Sequence, residues 1–138
     1  MFYIWEMNRR KRNRVICDVP SKLKELIVNN YSLSGTQRDK LIFSIMVKHY
    51  ITFPSKFFIP ETDPEMENVI SAFENKDVEE IGFSLSEFDF KHLKHVSDIC
   101  FRSITQQSAL ALCSMALYMK KNKIKSYRIG DDLKINFN

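Results

Sequence analysis

Arg14-Val15-Ile16-Cys17-Asp18-Val19-Pro20 is the stretch on which the fold turns. Val15, Cys17 and Val19 alternate with Ile16 and Asp18, the period of two that marks a strand with one buried face. Pro20 cannot donate to a ladder and ends the strand, and Ser21 is placed to cap a following helix. The pattern returns in Glu80-Ile81-Gly82-Phe83-Ser84-Leu85, 66 residues on from Val15 to Ile81. The chain therefore reads as two copies of one unit, each a short strand followed by two helices. A unit of this size is too small to bury a core alone, whereas two copies can share one.

The helical stretches fit this reading. Leu23, Leu26, Ile27 and Tyr31 fall at helical spacing, and Ser34-Gly35 breaks the pattern. Thr36 with Asp39 resembles a capping box opening a second helix, with an apolar stripe of Leu41, Ile42, Ile45, Met46 and His49 that ends near Phe53-Pro54. In the second copy Ser86 and Asp89 open a helix whose inward face is Phe90, Leu93, Val96 and Cys100. The next helix, Thr105 to Lys120, is apolar on most sides, which places it centrally or under another element. The offset between copies has grown to 69 residues from Thr36 to Thr105, so the repeat has diverged.

The expected organisation is a basic N-terminal arm over 1–13, a first unit over 14–51, an acidic connection over 52–79, a second unit over 80–121 and a C-terminal hairpin over 122–138. The connection carries Pro54, Pro60 and Pro64, and a short amphipathic helix through Met66, Val69, Ile70 and Phe73 is expected in it, because so long a structureless loop is unusual. The hairpin is signalled by Tyr127-Arg128-Ile129 and Leu133-Lys134-Ile135 around the turn Gly130-Asp131, and is expected to pack on the helix from Thr105.

Of the 138 residues, 44% are hydrophobic, enough for a compact core, and the formal charge is +4. That sum hides a segregation. Residues 8–50 hold ten Lys or Arg against three Asp or Glu, residues 61–90 one against ten, and residues 91–138 nine against three. Basic surfaces of this kind are candidates for polyanion binding. Three cysteines make no disulfide framework, and Cys17, Cys100 and Cys113 all fall on apolar faces, so buried thiols in a reducing compartment are expected. Phe2 to Trp5 precede the basic run instead of following it, the reverse of a signal peptide, and no apolar stretch is long enough to span a bilayer, so the expectation is a cytoplasmic protein that no membrane holds. His92 and His95 sit near Cys100 without the spacing of zinc sites. No phosphate-cradling glycine loop and no paired carboxylates are present, so no metal, cofactor or catalytic residue is expected, and the chain does not read as an enzyme.

The order of strand, proline turn, helix, Ser34-Gly35 turn and a second helix opening on Thr36-Gln37-Arg38 resembles the ribbon-helix-helix superfamily of Arc and MetJ. The second unit follows the order with no glycine in its turn, and together the two cover about two-thirds of the chain. The tandem form, with Phe53-Pro54-Ser55-Lys56-Phe57 after the first unit, is similar to the TraY group of relaxosome accessory proteins. The resemblance implies a mainly α fold in which the two strands pair as one antiparallel ribbon, the two units forming a pseudo-dimeric core. It also implies that the ribbon enters the DNA major groove.

On that reading Val15, Cys17, Val19, Ile81, Phe83 and Leu85 point inward, while Arg14, Ile16, Asp18, Glu80, Gly82 and Ser84 face the bases. The outward set is a poor reader: Ile16 offers only a thymine-methyl contact, and Asp18 is repelled by phosphate unless it accepts from cytosine N4. A one-residue slip would bury Asp18, so register does not change this. The resemblance assigns phosphate contacts to Thr36, Gln37, Arg38, Thr105, Gln106 and Gln107 at the starts of the second helices, and the arm Arg9, Arg10, Lys11 and Arg12 adds ion pairs that salt would weaken. Thr36 and Thr105 serve equally as ordinary helix caps. The expected partner is double-stranded DNA, in plasmid transfer or as a transcriptional repressor, with relaxosome or other proteins as further partners. The alternative is the same fold turned to protein–protein interaction, which Ile16, Asp18 and Gly82 on the outer face and the acidic stretch around Glu61 to Asp89 favour. Internal pairing of the two strands gives a monomer with a pseudo-dimeric core; a swapped homodimer is the other arrangement.

Overall fold

The computed structural model describes residues 13–31, 36–129 and 132–137, with only the backbone described for 36–40 and Arg128. The arm residues Arg9 to Arg12 and the turns at Ser34-Gly35 and Gly130-Asp131 lie outside the described residues. So do the side chains of Thr36, Gln37, Arg38 and Asp39.

The protein is mainly helical, and the described residues form two separate two-stranded antiparallel sheets and no barrel. β1 (Asn13–Pro20) leads directly into α1 (Ser21–Tyr31), and α2 (Thr36–Thr52) follows. A one-turn helix, α3 (Pro54–Phe57), and α4 (Pro64–Glu74) occupy the connection. Then the order of the first three elements returns as β2 (Val78–Leu85), α5 (Glu87–Ile99) and α6 (Ile104–Lys121), before the hairpin of β3 (Ser126–Ile129) and β4 (Asp132–Ile135). Both long strands extend a residue or two beyond the expected bounds, and α3 was not anticipated.

β1 and β2 pair antiparallel along their whole length, from Asn13 with Leu85 to Pro20 with Val78, so that Val15 faces Phe83, Ile16 faces Gly82 and Cys17 faces Ile81. The expected inner face is buried at all six positions. Alternation decides this: once one face packs on helices, every second residue is committed to it. Behind the ribbon the packing is crossed. α6, from the second half of the chain, lies against β1, and α2, from the first half, lies against β2, while α2 and α6 pack on each other. α6 is the central helix, buried continuously from Ala111 to Leu117. α4 packs along its side with Met66 and Val69 buried, as the spacing in the connection predicts, while Ile70 is half-buried and Phe73, also expected on that face, is exposed.

Three local expectations are corrected. In α2 the buried positions are Ile42, Phe43, Met46, Val47, Tyr50 and Ile51, whereas Leu41 is exposed and Ile45 and His49 are half-buried. This helix is covered on two sides, by the ribbon and by α6, so its apolar face is wider and rotated from a single stripe. Cys100 is exposed, because α5 stops at Ile99 and Cys100 is its C-cap; Ser97 takes the buried place and donates from Oγ to the Leu93 carbonyl at 2.7 Å. The hairpin is held elsewhere than on α6 alone: Ser126 Oγ donates to the Tyr31 carbonyl at 2.6 Å, and the Phe137 ring lies 4.7 Å from that of His49 and 5.1 Å from that of Phe57.

Candidate nucleic-acid interface

The outer face of the ribbon is the candidate. Arg14, Ile16 and Asp18 on β1 and Glu80 and Ser84 on β2 are exposed, and Gly82 is half-exposed. Ile16 keeps 46% of its surface, unusual for a branched apolar residue at the middle of a sheet face. The register sets Arg14 opposite Ser84, Ile16 opposite Gly82 and Asp18 opposite Glu80. Two carboxylates directly across a ladder repel, so this last pair costs stability.

Gly82 has a specific use. A Cβ built on it would lie 2.5 Å from Arg14 Nη2 and 3.0 Å from its Cζ, so the guanidinium rests against the glycine backbone. Arg14 therefore lies across the ribbon toward its middle. A side chain at 82 would push it away.

The start of α6 meets the edge of β1 at one point. Thr105 Oγ1 donates to the Ile16 carbonyl at 3.4 Å, satisfying an edge acceptor and fixing the helix end beside the ribbon. That end is capped by Ser103, two residues before the expected Thr105. Ser103 Oγ accepts from the Gln106 N–H at 3.0 Å, and Gln106 Oε1 accepts from the Ser103 N–H at 3.0 Å, a closed capping box. Gln107 is 1% exposed and accepts from Arg102 Nη1 at 3.2 Å. Burial thus removes Gln107 from the surface set of phosphate donors, while Thr105 and Gln106 stay exposed with their polar groups engaged inside the fold. The N–H groups of Ile104 and Thr105 in the first turn are those the cap leaves for an outside acceptor.

Comparison with protein-family models, curated proteins and solved structures gives no match. The site must be read from its own chemistry.

At the other flank a cleft of about 280 Å³ between α2 and the start of α5 brings Lys48 beside Ser84, Ser86 and Asp89. Sequence reading missed Lys48, since it became a neighbour of the ribbon only through the crossed packing of α2 on β2. At the far end of the ribbon the nearby cation is Lys24, 4.0 Å from Glu79. Beneath the ribbon, burial pushes the Cys17 thiol up to about 12, with the Asp18 charge adding to the effect, and burial raises Cys113 to about 12 as well. Both thiols are held protonated. Among the described residues no group of three or more His, Cys, Asp or Glu is arranged to hold a metal, and no helix is long and apolar enough to cross a membrane.

Proposed function

We propose that this protein binds double-stranded DNA as a tandem ribbon-helix-helix module, inserting the β1–β2 ribbon into the major groove as a plasmid-transfer accessory factor or a transcriptional repressor. The observation that carries the reading is the exchange of strands within one chain. β1 pairs with β2 and packs on α6, while β2 packs on α2, so each strand is backed by the second helix of the other unit. A ribbon-helix-helix dimer is intertwined in this way, and the same exchange within one chain supports the reading. A two-stranded ribbon has the width that the major groove admits, and its outward face carries no covering element among the described residues. The basic run Arg9 to Arg12 immediately precedes it in sequence. Affinity on this reading comes mainly from phosphate contacts and falls steeply with salt.

A second reading keeps the fold and gives the ribbon to a protein partner. Asp18 opposite Glu80, with Ile16 exposed between the charged positions, favours it. The two readings part in one experiment, the binding of purified protein to a fluorescent random-sequence duplex over a salt series. Salt-sensitive binding with enrichment of a motif supports DNA recognition; no binding at low salt refutes it and leaves the protein-interaction reading.

A further inference from the structure

The register gives the ribbon a centre. Residues pair outward from Ile16 with Gly82, so Arg14 with Ser84 forms one half of the outer face and Asp18 with Glu80 the other. The repeat offset of 66 residues equates Ile16 with Gly82, Arg14 with Glu80 and Asp18 with Ser84. A two-fold axis through the centre therefore interchanges the two halves. In a symmetric dimer they would be identical. Here one half presents a guanidinium and a hydroxyl, and the other presents two carboxylates.

Resting on the DNA reading above, we infer that only the Arg14–Ser84 half of the ribbon meets base edges, that Arg14 resting on Gly82 selects a guanine, and that the DNA site is consequently one-sided and non-palindromic. Four observations converge on that half. The guanidinium is held over the outer face by contact with Gly82, where its donors can reach the O6 and N7 acceptors of one guanine together. Ser84 adds a hydroxyl opposite it. Lys48 lines the adjoining cleft, together with Asp89, and supplies a cation on this flank. The chain enters the ribbon at this end through Asn13, and the residues before it in sequence are Arg9, Arg10, Lys11 and Arg12.

The other half is built against DNA. In the major groove a carboxylate finds donors only at the cytosine N4 and adenine N6 amino groups, and it is repelled by the phosphates on both walls. Asp18 and Glu80 face each other, so entering the groove would bring two like charges together into a field of the same sign. Asp77 and Glu79 flank this end, with Lys24 4.0 Å from the Glu79 carboxylate.

The test is selection of bound duplexes by the intact protein, followed by affinity measurements on the selected site with each base at the guanine position. The wild type should enrich a motif without two-fold symmetry and prefer guanine at one position by between about 5-fold and about 150-fold. Gly82→Ala should lose that preference while melting at or above the wild-type temperature, because alanine is the better strand residue and only the end of a flexible side chain must move. Arg14→Gln should lose it too. Asp18→Asn with Glu80→Gln should raise affinity on every duplex severalfold and leave the motif unchanged. A palindromic motif with two equal half-sites, retention of the guanine preference in Gly82→Ala, or weaker binding by the double variant would overturn the inference while leaving DNA binding intact. Absence of any binding by the wild type at low salt would remove the DNA reading and this inference with it.

Discussion

Replacing Phe83 by alanine probes the ribbon and the crossed packing together. Phe83 is fully buried near the C-terminal end of β2, opposite Val15 and among the residues of the shared core. A phenylalanine buries about 150–250 Å², worth about 4–6 kcal/mol at about 25 cal/mol per Å², and alanine recovers part of it. Mutational experience for such changes is about 3–5 kcal/mol. Against a typical total of about 5–15 kcal/mol this is a large share, and the melting temperature should fall by about 10–25 °C. The neighbour one residue across the ladder supplies the control. Ile16→Ala, on the outer face, should change stability by less than about 1 kcal/mol. Urea and thermal denaturation followed by circular dichroism measure both. Equal losses for the two variants would refute the assignment of faces. A melting temperature that rises with protein concentration would instead place the strand pairing between chains.

Two further outcomes are expected. A thiol reagent near pH 8 should modify Cys100 rapidly in the native protein and all three cysteines in denaturant, since Cys17 and Cys113 are buried with thiols raised to about 12; fast reaction of two or more native thiols would contradict the core. Asp63 caps α4 by accepting from the Glu65 N–H at 2.9 Å and also binds Lys121, whose hydrogen bond holds the carboxyl below its ordinary value. Because the folded value lies below the unfolded one of about 3.9, this contribution is full above the unfolded value and lost as pH falls through the folded one. Asn keeps the cap and removes the charge, so the difference in melting temperature between wild type and Asp63→Asn should shrink in acid, and a constant difference from pH 7 to pH 3 would deny the link.

The strands were legible because a pleated ribbon with one buried face forces every second side chain, and Val15 to Val19 and Ile81 to Leu85 record that alternation. The pairing of the two followed from their being the long apolar strands of two similar units. What sequence did not show depends on third parties. Leu41 and Cys100 fit apolar stripes of isolated helices, yet α2 is covered from two directions and α5 ends before Cys100 can turn inward. Ser103 and Thr105 are both good caps by type, and only the position of β1 gives Thr105 the Ile16 carbonyl and leaves Ser103 the helix. The six outward residues of the candidate interface were legible by the same parity as the core. The rest of Arg14 on Gly82, the burial of Gln107 and the approach of Lys48 to Ser84 required coordinates.

The distance in sequence between the paired strands also bears on the birth of the protein. β1 is finished at Pro20, and its partner does not begin until Val78. At about 5–20 residues per second, a ribosome needs about 3–12 s to make the chain between them. Throughout that interval Val15, Cys17 and Val19 have neither the second strand nor α6 to cover them, because α6 comes later still. A nascent first half is therefore a chain with an open sheet edge, and its safety from association with other chains depends on the charges interleaved along that edge, Arg14 and Asp18 among them.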